Sequence, residues 1–245
     1  MVHGIEQIKP SLLNSLSVLK GESLKRITGQ ILPDGTLLLF HNTKNSMMQY
    51  NSDGTFMKEL MAFKEQPYDV CFVKDNTVAV TFYHDTKVLL VDVERNQLIK
   101  TIELAHYCYG VSSDGEALVI SQKEARKTTI LNLKDMTEEM LEGICLIRIS
   151  LFNGKIYGIY YYEDRVDCYR ITEGIAVDMN GFVYITSLGK DRIVVLSSDG
   201  KSSRTVLCKE DGIMELYAID INIELRTMLV ACCVDGKANA FIFNI

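Results

Sequence analysis

Basic side chains recur in a series of short polar turns, and they are the residues of this chain best suited to chemistry with a charged partner. HNTK (41–44) and HDTK (84–87) occupy the same place in successive sequence units, and KEARK, YEDR, GKDR and VDGK occupy that place in later units. Lysine and arginine outnumber aspartate and glutamate in these basic turns, although the formal net charge of the chain is -6. Separated cations attract acidic protein segments or nucleic-acid phosphates without reading bases. The predicted partner-binding residues are Lys44, His84, Lys87, Arg126, Lys127, Arg165, Lys190, Arg192 and Lys237.

Two other interpretations of the same turns stay open. Hairpin turns are polar wherever they are exposed, so a repeat alone would place such residues there. RNA is an alternative partner, since Tyr160-Tyr161-Tyr162 offers rings on which bases can stack. Strand alternation would turn one of these rings toward the core, however, and RNA-binding proteins are usually basic, unlike this chain.

The elements that must position the basic turns are short β-strands in a repeat of about 40 residues. Each unit has a turn former between its first and second strands; these anchors are Gly35, Asn76, Gly115, Gly154, Gly181 and Glu224-Leu225-Arg226. A first strand such as YDVCFV precedes the anchor, a second strand such as TVAVTFY follows it, and a third such as VLLVDV follows the basic turn. Four strands per unit at this period are typical of β-propeller blades.

The sequence therefore predicts an all-β, six-bladed β-propeller of four-stranded antiparallel blades. The predicted units lie near 24–60, 67–104, 107–141, 144–170, 174–207 and 215–245. The interval from Gly154 to Gly181 is much shorter than the others, so the fourth blade is predicted to be truncated. Either RVDCYR (165–170) serves as the connector there, or the repeat is locally distorted.

Segment 14–19 is predicted to close the last blade. The last unit ends after its third strand, and 14–19 has strand-like alternation, so it is expected to pair with Phe241-Ile242-Phe243 and cover that edge. A disordered tail is the alternative.

Composition favours a single cytoplasmic domain. The 245 residues include no run of 18 apolar residues and no basic head followed by an apolar block, so neither a membrane span nor a secretory leader is expected. Seven cysteines in such a chain suggest reduced thiols. Cys71, Cys108 and Cys145 are evenly spaced, but they fall at different positions of their units and are interpreted as core residues.

One unit identifies a family resemblance. GIAVDMNGFVYITSLGKDRIVVLSSDG (174–200) resembles an NHL repeat, and the whole chain resembles the C-terminal NHL propeller of tripartite-motif proteins. The resemblance implies recognition of a protein substrate or an RNA stem-loop. In that family, RING, B-box and coiled-coil segments supply ubiquitin transfer and oligomerisation. This chain has no Cys-x2-Cys pair, so a ligase activity of its own is not expected.

Enzymatic chemistry is the third alternative. Six-bladed propellers include calcium-dependent hydrolases, and Asp69, Glu173 and Glu215 precede first strands where such ligands would lie. The four histidines show no metal-ligand spacing, and neither a G-x-S-x-G elbow nor a glycine-rich phosphate loop occurs. We expect a non-catalytic recognition scaffold without cofactor or metal, whose partner is a protein or acidic peptide, with RNA binding and metal-dependent hydrolysis as the alternatives.

Overall fold

The computed structural model describes residues 5–17, 28–41, 44–122, 124–144, 146–160, 172–235 and 237–245. These residues divide into two compact units. The first unit comprises those within 1–43, 48–58 and 164–245, and the second unit comprises those within 44–47 and 59–163. Each unit buries hydrophobic clusters of its own.

The regular structure of the described residues is almost entirely β. The strands are β1 (Ser11–Ser17), β2 (Gly29–Ile31), β3 (Leu37–His41), β4 (Ser46–Tyr50), β5 (Phe56–Ala62), β6 (Pro67–Lys74), β7 (Thr77–Phe82), β8 (Lys87–Asp92), β9 (Gln97–Glu103), β10 (Val111–Ser113), β11 (Ala117–Gln122), β12 (Lys127–Asn132), β13 (Glu138–Glu142), β14 (Leu146–Phe152), β15 (Lys155–Tyr160), β16 (Thr172–Val177), β17 (Val183–Ser187), β18 (Arg192–Leu196), β19 (Ser203–Cys208), β20 (Leu216–Asn222), β21 (Thr227–Val234) and β22 (Lys237–Asn244). Short 3₁₀ helices span Ile5–Gln7, Leu188–Lys190 and Lys209–Asp211. None of the helices in this part of the chain has the length and hydropathy that crossing a membrane requires.

The strands form antiparallel meanders. Four-stranded sheets have the orders β2-β3-β4-β5, β6-β7-β8-β9, β10-β11-β12-β13, β16-β17-β18-β19 and β1-β22-β21-β20, and a further sheet pairs β14 with β15. The prediction of an all-β propeller with four-stranded antiparallel blades is confirmed. Its count of six blades is not confirmed, because the described residues form five complete blades. The third strand predicted for the short unit falls within 161–171, outside the described residues.

The last sheet takes its fourth strand from residues 11–17. β1 runs antiparallel to β22, with Asn14 opposite Ile242 and Ser15 opposite Phe241. This is the pairing expected for segment 14–19, of which residues 18 and 19 lie outside the described part. The added strand hydrogen-bonds backbone groups of β22 that an open edge would leave unpaired.

An aspartate closes the turn between β16 and β17. Asp178 Oδ1 accepts hydrogen bonds from the backbone N–H groups of Asn180 at 2.9 Å and Phe182 at 3.0 Å. Gly181 has a φ of 79°, a left-handed conformation in which a side chain would be strained. The Asp-Met-Asn-Gly sequence thus specifies this hairpin through local chemistry.

Alternating apolar residues fill the cores of both units. In the first unit, sheet β16–β19 and sheet β20–β22 share a cluster that includes Tyr184, Ile193, Leu216, Met228 and Val230, each at most 1% exposed. In the second unit, Val88, Leu118 and Ile120 are fully buried between neighbouring blades. Side chains of the outer strand β9 remain largely exposed instead.

Truncating one of these buried leucines should destabilise the protein strongly. Leu118 is 0% exposed, so Leu118→Ala should lower the free energy of unfolding by about 2–5 kcal/mol through lost burial and the cavity left behind. Leu98 on β9 is 51% exposed, and Leu98→Ala should change stability by no more than about 0.5 kcal/mol. Urea unfolding measures both variants, and equal losses would contradict the assigned core.

Candidate functional site

The structure places the basic residues in or beside the turns between the second and third strands of their sheets. Lys44 lies in the β3–β4 turn, His84 and Lys87 at β7–β8, Arg126 and Lys127 at β11–β12, Lys190 and Arg192 at β17–β18, and Lys237 at the start of β22. Arg165 lies outside the described residues. Lys127 is engaged, with Nζ 3.1 Å from Glu142 Oε1. Their role in partner binding stays a prediction.

Aromatic rings of the second unit join two of these basic turns. The ring centroid of Tyr68 lies 5.2 Å from that of Tyr83 and 5.1 Å from that of Tyr109. His84 continues the series, 5.0 Å from Tyr83 and 5.6 Å from Tyr107. We call Tyr68, Tyr83, His84, Tyr107 and Tyr109 the aromatic cluster. Tilted and edge-to-face contacts at these separations are favourable beyond the area that they bury.

Exposure increases along the aromatic cluster. Tyr109 is buried at 4% exposure, Tyr68 and Tyr83 are half-buried, and Tyr107 is 41% exposed. His84 is also exposed, and its φ of 55° places it in the left-handed turn that precedes β8. The cluster is therefore anchored in the unit at one end and open to solvent at the other.

Backbone contacts fix the buried end. The N–H of Tyr109 donates to the carbonyl of Ser121 at 2.9 Å, and the N–H of Gly110 donates to the Ser121 hydroxyl at 2.9 Å. A Cβ added at Gly110 would lie 2.9 Å from the carbonyl oxygen of Ile147. Only glycine permits this close approach between the segment that enters β10 and strand β14.

A buried ion pair supports the aromatic cluster from below. Arg148 Nη1 lies 3.0 Å from Asp69 Oδ1 and donates to the carbonyl of Tyr68 at 3.1 Å. The Arg148 guanidinium carbon is 4.5 Å from the Tyr68 ring centroid, a cation–π arrangement. Asp69 Oδ2 accepts the N–H of Val111 at 3.2 Å. Burial raises the pKa of Asp69, and the Arg148 charge opposes that rise.

A second hydrogen bond ties the cluster to a basic turn. The Tyr109 hydroxyl donates to Glu124 Oε1, and Glu124 lies in the β11–β12 turn two residues before Arg126. Burial, followed by this hydrogen bond, raises the pKa of Tyr109. The phenol therefore stays neutral and holds the turn that carries Arg126.

The three acidic residues considered as metal ligands, Asp69, Glu173 and Glu215, have different surroundings. Asp69 is committed to Arg148 and Val111, whereas Glu215 is exposed and donates its backbone N–H to Asp191 Oδ1 at 2.7 Å. Glu173 lies in β16. Across the residues that the structure describes, no group of three or more His, Cys, Asp or Glu side chains is arranged to hold a metal ion.

The cysteines considered at the sequence level behave as core residues. Cys71 and Cys108 are buried free thiols, and Cys145 lies outside the described residues. Burial, with a smaller effect of the Asp85 charge, raises the pKa of Cys108 to about 12. This thiol is therefore protonated and unreactive at neutral pH.

The first unit contains a cavity of about 310 Å³. Its apolar wall includes Phe182 and Ile221, and its polar lining includes Asp178. Asp178 is 7% exposed, and its Oδ2 accepts a hydrogen bond from the Tyr184 hydroxyl at 3.3 Å. Burial raises the pKa of Asp178, and its hydrogen bonds oppose that rise in part.

The sequence carries a signal for the aromatic cluster in addition to the basic turns. The first-strand segments YDVCFV and YGVSS of consecutive units both begin with tyrosine, and these residues are Tyr68 and Tyr109. The second strand of the earlier unit ends at Phe82 and is followed directly by Tyr83 and His84. Aromatic residues recurring at matching strand ends predict a common location at one end of the sheets.

No protein-family model matches this chain, and no curated protein matches its sequence. Solved structures match its fold. A structural genomics protein of unknown function from Bacteroides thetaiotaomicron VPI-5482 superposes with a TM-score of 0.70 at 12% identity, over 96% of this chain and 72% of that chain. The PQQ-bound aldose sugar dehydrogenase from Streptomyces coelicolor gives a TM-score of 0.69 at 10% identity, over 96% and 98% of the two chains.

A third match is the β-propeller domain of Cps50 (Swd1) from Myceliophteria thermophila. Its TM-score is 0.60 at 13% identity, over 93% of this chain and 85% of that chain. At such low identities these likenesses show the β-propeller fold alone. The NHL and tripartite-motif resemblance is not shown by them.

Removing Arg148 should be more damaging than removing the whole ion pair. Arg148→Met leaves the Asp69 carboxylate nearly buried without this cation, and the expected loss of unfolding free energy is about 3–5 kcal/mol. The double variant Asp69→Asn/Arg148→Met removes both charges and should recover part of that loss. Denaturant unfolding of the wild type, both single variants and the double variant measures the coupling, and strictly additive losses would rule it out.

Asp178→Asn should change how stability depends on pH. The pKa of Asp178 is raised in the folded state. Ionisation of this carboxyl therefore lowers the free energy of unfolding of the wild type as the pH rises from about 4 through the folded-state pKa. Asparagine removes that loss, so the stability of the variant relative to the wild type should increase between about pH 4 and pH 7.

Asp199→Asn is the matched control for this measurement. Hydrogen bonds from the Ser197 hydroxyl and the Lys201 N–H lower the pKa of Asp199, so this carboxylate contributes stability above its unfolded pKa and loses it as the pH falls. The relative stability of Asp199→Asn should therefore decrease between about pH 3 and pH 7. Urea unfolding across this range tests both signs, and parallel profiles for the two variants would contradict the assignment.

Proposed function

We propose that this chain is a non-catalytic recognition scaffold that binds a protein partner through the aromatic cluster of its second unit. The observation that supports this proposal is the graded exposure of the cluster, from buried Tyr109 to Tyr107 and His84 at the surface. Residues of protein–protein hot spots are enriched in tyrosine and arginine and are held rigidly before the partner arrives. The contacts of Tyr68 with Arg148 provide such rigidity here.

Charge favours an acidic partner segment. Lys87 begins β8, three residues after His84 of the cluster, and exposed Arg126 stands on the turn that Glu124 holds against Tyr109. The Glu124 carboxylate accepts a hydrogen bond from the Tyr109 hydroxyl. Exposed cations beside an aromatic surface steer an acidic peptide toward it and set its register.

The resemblance to NHL repeats and to tripartite-motif proteins agrees with this proposal. Residues 174–200 resemble an NHL repeat, and a role as the recognition part of a tripartite-motif-like protein is consistent with a propeller that presents aromatic and basic residues at its turns. A cytoplasmic location fits the five free cysteines of the described residues. RNA remains the competing partner, but a net charge of -6 is unfavourable for phosphate binding.

Partner capture with surface variants tests the proposal. Tyr107→Ala/His84→Asn removes two exposed rings, and asparagine suits the left-handed backbone of residue 84. Captured protein should fall at least tenfold relative to the wild type, as expected for the loss of more than about 1.4 kcal/mol. The control Tyr217→Ala truncates a half-buried tyrosine of the first unit and should retain the partner.

A second double variant tests the contribution of charge, and a nuclease treatment distinguishes a protein partner from RNA. Lys87→Gln/Arg126→Gln should weaken capture at low salt and reduce its salt dependence, because the steering charges are lost. Quantitative mass spectrometry of the captured proteins, with and without nuclease, provides the measurement. Full retention by Tyr107→Ala/His84→Asn would overturn the site, and loss of the partner on nuclease treatment would favour RNA.

A further inference from the structure

The cavity of the first unit has an apolar wall and an uneven distribution of charge. Phe182, Ile221 and Ile223 line it, and Phe182 and Ile221 belong to the buried core of that unit. Its volume of about 310 Å³ corresponds to roughly ten water molecules at about 30 Å³ each. This is at the small end of ligand pockets, and it suits a metabolite of amino-acid size and not a nucleotide.

Asp178 provides a negative group at the inner end of the cavity. The side chain is 7% exposed, and the groups that hydrogen-bond to it are neutral: the N–H groups of Asn180 and Phe182 and the Tyr184 hydroxyl. Among the described residues, no lysine, arginine or histidine forms an ion pair with this carboxylate. A nearly buried carboxylate without a cation is costly, and a ligand ammonium would relieve that cost.

Two cations lie at the outer end. Lys9 and Arg226 both line the cavity and are exposed. Arg226 belongs to a fixed turn: its carbonyl accepts the N–H of Ile245 at 2.9 Å, and Asn222 Oδ1 accepts the N–H of Leu225 at 2.9 Å. Lys9 follows Ile8, which packs against the core. The positive side chains are thus carried by anchored segments.

We propose that this cavity binds a free apolar α-amino acid. The ligand ammonium pairs with Asp178, and its carboxylate faces Lys9 and Arg226. Its side chain packs against Phe182, Ile221 and Ile223. A zwitterion with an apolar side chain satisfies the buried negative group, the exposed positive groups and the apolar wall together. A simple amine would make no ionic contact with Lys9 and Arg226, and a simple fatty acid would place no positive charge beside Asp178.

Calorimetric titration of the full chain with L-leucine and L-phenylalanine tests this site. Both should bind, whereas N-acetyl-leucine and leucinamide should each bind at least tenfold more weakly, because each lacks one of the two charges. These ligand comparisons use the wild-type protein and do not depend on the folding of a variant. Absence of binding at millimolar amino acid, or equal binding of leucinamide and leucine, would overturn the proposal.

Substitutions of single residues test which side chains bind the amino acid. Asp178→Asn keeps an oxygen that can accept the Asn180 and Phe182 N–H groups but removes the charge, and it should weaken leucine binding at least tenfold. Arg226→Gln should weaken leucine more than it weakens leucinamide, because only leucine has the carboxylate that Arg226 would face. Asp199→Asn alters an exposed turn aspartate that does not line the cavity and should bind leucine as the wild type does. Unchanged leucine affinity in a folded Asp178→Asn variant would overturn the assignment.

Discussion

In each unit, an aspartate of one first strand accepts a backbone hydrogen bond from the first strand of a neighbouring blade. In the second unit, Asp69 of β6 accepts the N–H of Val111 in β10 at 3.2 Å. In the first unit, Asp220 of β20 accepts the N–H of Ile31 in β2 at 2.7 Å. Packed sheets otherwise meet through apolar side chains, whose contacts are not directional. A carboxylate that bonds one particular N–H fixes the relative position of two first strands, at the cost of desolvating the charge.

In the second unit, the desolvation cost of the Asp69 carboxylate is offset by an ion pair, and this ion pair also positions the aromatic cluster. Asp69 needs a cation, and Arg148 supplies it from β14. Once the guanidinium is held there, its face covers Tyr68 and its Nη1 bonds the Tyr68 carbonyl. The ring of Tyr68 is then fixed in contact with Tyr83 and Tyr109. A structural ion pair therefore sets the geometry of the surface at which recognition is proposed.

Local chemistry explains what the sequence could predict. Asp-Met-Asn-Gly at 178–181 closes a hairpin by itself, and a repeat of such turns predicts the strands and their order within each blade. The short interval from Gly154 to Gly181 did indicate a truncated unit, whose predicted third strand lies outside the described residues. The Asp69–Arg148 ion pair between blades could not be predicted in this way. The two residues are distant in sequence and meet only when their sheets pack together. Tertiary packing therefore decides the ion pair.

The same local motif acquires different chemistry from its surroundings. Asp34, Asp114 and Asp178 each accept a backbone N–H two residues later in a turn between the first and second strands of a blade. Asp34 and Asp114 are exposed, so solvent stabilises their charge. Asp178 is buried, because Tyr184 and the residues around Ile8 and Ile221 enclose it. A turn aspartate thereby becomes a nearly buried carboxylate that lines a cavity and, among the described residues, forms no ion pair. This change arises from packing alone, and it gives a structural residue the electrostatic character of a binding group.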